Sequence, residues 1–231
     1  MSGANVSAPL PQGLAIRPLA VSDLEAVDAL HRRSISGLGA DIVKPEEKKF
    51  FEELLDGRGR LVGVEDDDLL VAYAVLQHEL HADDNPREQL GVLPGTPLFK
   101  LAGSGVDHRY RGMGLQRFLI EERIALAGDR ALTFATAAPL NYASWINLLS
   151  CGLTVRALQY RYGGYPRFLM ARSGAALLYG LPDNDHPGVE IASDDLGRQS
   201  ELLSKGWRGM EAVENSRFIR YRPMIQSAAL Q

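Results

Sequence analysis

Along the chain, apolar positions fall into two periods, and the alternation between them sets out the elements. Leu14 to Arg17 reads as a short strand closed by Pro18. A helix follows, with a Ser22/Glu25 capping-box pattern and an apolar face of Leu24, Val27 and Leu30. Pro45 suits the first turn of a second helix, in which Phe50, Phe51, Leu54 and Leu55 pair at helical spacing before Gly57 and Gly59 end it. Leu61 to Val64 and Leu69 to Leu76 flank Asp66, Asp67 and Asp68, the pattern of a hairpin with a solvated acidic tip. Residues 77–97 are polar and proline-containing, a long loop of the kind that often carries function.

The same reading gives a strand over Leu98 to Val106 and a helix from Leu115 to Ala127. Ala131 to Ala137 is a strand, Asn141 to Cys151 a helix, and Leu153 to Tyr162 a strand. Phe168 to Ala171 pairs with the last of these through the Gly163-Gly164 turn. Beyond residue 172 the pattern changes. It predicts a strand at Val189 to Ala192, a helix capped near Asp194 and a hairpin from Trp207 to Arg222. Runs of strands interleaved with helices predict an α+β fold with an appended tail.

Composition narrows the classes. With 231 residues, 45% of them apolar and 23% charged, the chain is an ordinary globular protein of one large domain or a domain with an appendage. A net charge of −4 argues against a nucleic-acid partner. No apolar run reaches the ~20 residues of a membrane span, and Met1 to Gln12 lacks the features of a secretory signal. Residues 1–12 read as a disordered lead-in, and the expected location is the cytoplasm. A single cysteine, Cys151, allows no intramolecular disulfide and reads as a core residue, and no His/Cys grouping has metal-ligand spacing, so no metal is expected.

The chemistry-bearing stretch runs from Val106 to Leu119: a strand, a turn holding Arg111, Gly112, Met113 and Gly114, then a helix opening with Leu115, Gln116 and Arg117. Glycines admit close backbone approach. The helix start offers N–H groups and the positive end of a dipole, a site for a pyrophosphate. Arg111 and Arg117 add positive charge.

This segment resembles motif A of the GNAT (GCN5-related N-acetyltransferase) superfamily, where a turn of pattern Arg/Gln-x-x-Gly-x-Gly/Ala grips the coenzyme A pyrophosphate. Arg111 and Gly114 match its first and fourth positions, while the sixth is Gln116. A second frame, from Arg109 through Gly112 to Gly114, also satisfies it; the first places Val106 and Tyr110 where the family usually has them. Ala135 to Asn141, followed by Ser144, Asn147 and Gly152, resembles the family's later strand and helix, beside the pantetheine arm. Asn141 and Gly152 are equally a sound helix cap and stop.

The resemblance covers residues 14–171. It implies a GNAT fold: a central mixed, mostly antiparallel twisted sheet with helices on both faces, here carrying a C-terminal strand–helix–hairpin extension. The implied layout is a GNAT domain over 13–173 and an extension over 174–231 packed on it. The implied activity is direct transfer of an acetyl or larger acyl group from acyl-CoA to a primary amine. The resemblance implies that the backbone near Val106 binds the thioester carbonyl and that the cofactor site comprises Val106, residues 111–117, Asn141 and Ser144. The family's usual tyrosine is replaced by Leu148 and its usual strand glutamate by Lys100. That leaves Glu79 and Ser144 as catalytic candidates, with His78 and His108 behind them. A non-catalytic acyl-CoA-binding protein on the same fold is the alternative.

Small residues at 102–105 and 135–138 raise the expectation of a gap roomy enough for a longer acyl group. The acceptor class is a small-molecule or peptide amine. The tail's apolar strands can cover a sheet edge or pair with a second subunit as a homodimer.

Overall fold

The computed structural model describes residues 9–173, 181–183, 185–213 and 217–225. Most of the expected lead-in, residues 1–8, and the start of the expected extension, 174–180, lie outside the described residues. The chain divides into two compact units. One is built from the segments up to Leu38, Pro45–Asn85 and Phe99–Gly128, the other from Gly39–Lys44, Pro86–Leu98 and the chain from Asp129 onward.

The first unit holds β1 (Leu14–Leu19), α1 (Leu24–Ile35), α2 (Lys48–Glu53), β2 (Gly59–Asp66), β3 (Leu69–Gln77), all but the first residue of β4 (Leu98–Val106) and α3 (Leu115–Ala127). Its strands lie in the order β1-β2-β3-β4, each antiparallel to the next. Strand β3 is apolar at nearly every position because both of its faces are covered. Leu61, Tyr73 and Val75 pack on one side with Val27 and Leu30 of α1 and Phe51 of α2. Val62, Val64, Ala72 and Ala74 pack on the other with Leu115, Phe118 and Leu119 of α3. Period-2 alternation therefore sorts the two cores even where no polar residue marks it. Leu10 joins the second core, ahead of the first strand.

The second unit holds β5 (Leu132–Ala137), α4 (Tyr142–Ser150), β6 (Thr154–Arg161), β7 (Tyr165–Ser173), β8 (Leu181–Pro182), β9 (Val189–Ala192), α5 (Leu196–Ser204), β10 (Arg208–Ala212), β11 (Phe218–Arg222) and β12 (Met224–Ile225). Its main sheet runs β5-β7-β6-β10-β11-β9, again antiparallel at every step. The tail continues this sheet, since Gly209 of β10 pairs with Val155 of β6. A buried polar knot fixes its outer strands. Tyr221 donates its hydroxyl to Gln199 Oε1 at 2.6 Å, and Gln199 Nε2 donates to the Ala192 and Ser193 carbonyls at 2.9 and 2.8 Å. The β8–β12 pair was not expected from the sequence.

Several boundaries move for physical reasons. Strand β1 runs through Pro18, which pairs opposite Val62, because an edge strand has a side on which no N–H is needed. Ser22 and Glu25 do not cap α1; Asp23 accepts the Ala20 N–H at 2.8 Å across a short 3-10 turn that leads into the helix. Helix α2 begins at Lys48, three positions after Pro45, and Gly57 ends its last wide turn at φ 108°. Asp195, not Asp194, caps α5 by accepting the Arg198 N–H at 3.2 Å. Cys151 is buried, as a core residue should be.

Candidate functional site

The turn between β4 and α3 is held by a chain of local bonds. Asp107 opens it. Its own N–H donates to the Val71 carbonyl at 2.8 Å, its Oδ1 accepts from the Arg109 N–H at 3.1 Å, and Arg33 stands 3.7 Å from its other oxygen. The Arg109 backbone N–H, followed by the Arg109 and Arg33 charges, holds the Asp107 carboxyl below the ordinary range. Tyr110 donates to Asp66 Oδ2 at 2.6 Å, and that bond raises its phenol. The acidic hairpin tip is thus more than a solvated turn, since Asp66 anchors this segment.

The last carbonyls of α1 have no partner within their own helix. His108 Nε2 donates to the Arg33 carbonyl at 2.8 Å and Arg111 to the Ser34 carbonyl at 2.7 Å. Two candidate residues thereby cap the end of α1. Nε2 of His108 already carries a proton in this bond, so that nitrogen is not a ready base.

After Arg111 the backbone turns through two left-handed glycines, Gly112 at φ 81° and Gly114 at φ 78°. Among the described residues, nothing lies within 4 Å of where a Cβ would stand on either. The space beside them is open, and an L side chain would be disfavoured by backbone conformation rather than by a clash. Gly114 occupies the N-cap of α3 without a side-chain cap, so the first N–H groups of the helix point toward the open turn. Met113 is exposed, and Leu115 is a core residue that can offer only its backbone. Arg117 pairs with Glu121 one turn on, at 3.2 Å. Gln116 is half-buried.

Just upstream, β4 carries a bulge. Ala74 pairs with Ser104 but Leu76 pairs with Leu101, so Ala102 and Gly103 together oppose Val75. Buried Arg123 of α3 spans the irregularity, donating to the Val75 and Ala102 carbonyls at 3.1 and 3.2 Å and to Leu119 of its own helix at 2.9 Å. Val106, at the end of β4, pairs with Ala72. The glycines of β4 do not leave a simple gap. A Cβ on Gly105 would stand 2.6 Å from both Tyr73 Cε1 and Ser34 Oγ, while one on Gly103 would meet Phe50 and Tyr73 only at 3.9 Å.

Lys100, where the resemblance leads one to look for a glutamate, is buried in an ion pair with Asp84. Glu79 is largely exposed, 3.8 Å from Arg58. Its backbone N–H and that of His78 both donate to the Arg58 carbonyl at 3.2 Å. Val106, Arg111, Gly112, Met113, Gly114, Leu115, Gln116, Arg117 and Glu79 all belong to the first unit.

Asn141 and Ser144 belong to the second unit. Asn141 caps α4, its Oδ1 accepting the Ser144 N–H at 3.2 Å, and its Nδ2 reaches the Ile42 carbonyl at 3.5 Å. Ser144 is half-buried in the first turn, and Leu148 is in the core.

Arg123, Asp107 and the Asp66–Tyr110 bond were missed from the sequence. Asp107-x-Arg109 is a legible Asx-turn pattern. An arginine within the apolar stripe of α3 was the visible sign of a buried partner.

No family model matches the chain, and no curated protein matches it. Solved structures do. The ribosomal-protein-S18-alanine N-acetyltransferase of Escherichia coli is similar over 71% of this chain and 98% of its own, with TM-score 0.50 and 20% identity. NAA60 of Arabidopsis thaliana, solved with acetyl-CoA, is similar over 69% and 99%, with TM-score 0.56 and 16% identity. The ribosomal-protein-S5-alanine acetyltransferase of Vibrio fischeri is similar over 74% and 98%, with TM-score 0.54 and 15% identity. Likeness at such identities speaks to architecture, and the architecture of this chain is the α+β GNAT fold.

Proposed function

We propose that this chain is an N-acyltransferase that moves an acetyl group, or a larger acyl group, from acyl-CoA directly to a primary amine. The observation that carries the reading is the pair of left-handed glycines, Gly112 and Gly114, opening onto the N-terminus of α3 with no described side chain in the way. Backbone N–H groups there suit the pyrophosphate, and Arg111 keeps donors beyond the one it gives to Ser34. The bulge in β4 takes Ala102 and Gly103 out of register with β3, and a backbone N–H near Val106 is the proposed donor to the thioester carbonyl. In the second unit, Asn141 and Ser144 offer polar groups at the head of α4.

One neighbour is named for the alanine of a ribosomal protein, and the NatC complex was solved with a Gag peptide and CoA. A peptide or small-molecule amine is the acceptor class proposed here. Attack needs the neutral amine, with its proton leaving through water or through Glu79, whose exposed carboxylate is only loosely held by Arg58. Ser144 is the candidate donor to the departing thiolate. The cytoplasm is the proposed location. No described helix is long and apolar enough to cross a membrane.

A second reading, acyl-CoA binding without turnover, is favoured by two particulars. Lys100 is neutralised by Asp84, and Leu148 is core. Thiol release from acetyl-, butyryl- and hexanoyl-CoA with a panel of peptide and small amines decides between them. Amine-dependent release with a matching mass gain on the amine is expected; saturable CoA binding with no release from any pair would favour the second reading.

A further inference from the structure

A second place in the fold has the chemistry of a binding site. Within the second unit a half-open cavity of about 270 Å³ lies against β6, β7 and β10 and is lined on another side by the loop at 88–91. Its apolar lining is Leu90, Ala157 and Leu169, and its charged lining is Glu88, Arg156 and Arg208.

The two arginines reach it for different reasons. Val155 pairs with Met170 and Ala157 with Leu169, so Arg156 is the extra residue of a bulge, which re-aims its side chain. Arg208 comes from β10 of the tail and donates Nη1 to the Arg156 carbonyl at 3.4 Å. Its Nε is buried and, among the described residues, has no hydrogen-bond partner. Among the described residues no carboxylate stands within ion-pair distance of Arg208. A guanidinium does not shed its proton, so an unpaired buried N–H on a charged group is a standing cost that a bound anion would remove. Burial pulls the Arg208 guanidinium down from its ordinary range, the direction expected when no counter-charge compensates.

We propose that this cavity binds a small aliphatic carboxylate, its oxygens taken by Arg208 and Arg156 and its carbon chain by Leu90, Ala157 and Leu169. A planar monoanion matches a guanidinium edge. The Glu88 charge in the lining and the apolar walls disfavour a phosphate dianion more than a monoanion. The site stands on the tail's own residue, and it is independent of the acyl-transfer reading.

Titration of the full chain by calorimetry or amide NMR tests it, with isovalerate, its neutral amide and inorganic phosphate as probes up to ~10 mM, a range that detects weak millimolar binding. Isovalerate is expected to bind saturably and to raise the thermal midpoint, and the amide and phosphate to bind more weakly or not at all. Arg208→Gln should weaken isovalerate roughly tenfold to a hundredfold, with Arg208→Lys intermediate. Ala157→Leu fills the cavity while keeping both guanidiniums, and should abolish binding with circular dichroism unchanged. The proposal is overturned if isovalerate does not saturate the parent, if Arg208→Gln and a folded Ala157→Leu bind as the parent does, or if phosphate binds more tightly than the carboxylate.

Discussion

Arg123 lies on the buried face of α3 with a guanidinium N–H 3.2 Å from the Ala102 carbonyl, at the point where β4 carries one residue more than β3. A bulge leaves backbone groups outside the ladder, and in a core they must find another partner. Arg123 supplies it for Ala102 and for Val75 opposite, and so joins the cradle helix to the strand it follows. Arg123→Met should cost about 3 kcal/mol, because it strands two buried carbonyls. Urea unfolding measures this as a lower midpoint at an unchanged slope. A loss within about 0.5 kcal/mol, the scale of an ordinary surface change, would mean the bulge does not depend on this residue.

Gly103 and Gly105 separate space from conformation in the same strand. Gly105→Ala drives a methyl to within 2.6 Å of the Tyr73 ring and Ser34, and should destabilise by about 1–3 kcal/mol. Gly103→Ala meets nothing closer than 3.9 Å and should be neutral or stabilising by about 0.5 kcal/mol. Thermal melts of the two variants side by side check the contrast; equal losses would contradict the packing described around Tyr73.

His31 sets a pH dependence. It is buried against Phe51 and Tyr73; its Nε2 accepts the Glu46 N–H at 3.0 Å, and its Nδ1 therefore donates to the Tyr73 hydroxyl at 2.7 Å. Burial pulls its pKa below the ordinary value of 6.5, while Asp28 raises it and Arg32 lowers it by lesser amounts. With the folded pKa depressed, the unfolded chain binds the proton more readily, so the His31 contribution is whole above pH ~6.5 and declines as pH falls below it. Urea midpoints at pH 7 and pH 5 should show the parent losing stability and His31→Gln losing distinctly less. Parallel losses in the two proteins would assign the pH dependence elsewhere.

Where period and punctuation agreed, the sequence was enough. Strand β4, helix α3 and strand β9 have the limits that the apolar pattern gives, and Asn141 caps α4 as its residue type suggests. Pattern failed where the answer depended on a distant partner. Pro18 stops a strand only if its N–H side is needed, and an edge does not need it. Ser22 and Glu25 make a good local cap, but Asp23 also meets Arg17 at 2.8 Å, and that contact comes from another element. The small residues of β4 differ in what surrounds them: Tyr73 from the neighbouring strand crowds Gly105, while a Cβ on Gly103 would meet Phe50 and Tyr73 only at 3.9 Å, and neither neighbour is written in the local sequence. Of the candidate site, the glycine turn was legible because glycine's freedom is written in its identity. The duties of Arg111 and His108 at the end of α1 were not, since nothing local links residue 34 to residue 111.

The most direct test of the central claim is calorimetric titration of acetyl-CoA into the parent and into a Gly112→Glu/Gly114→Glu variant. Two carboxylates placed in left-handed, open backbone should repel a pyrophosphate, while the surrounding space takes the side chains without collision. Saturable binding by the parent, lost in a variant whose circular dichroism is unchanged, is the result this account predicts. A parent that binds no acyl-CoA, or a folded variant that binds as tightly as the parent, would contradict it and leave the glycine turn a matter of folding alone.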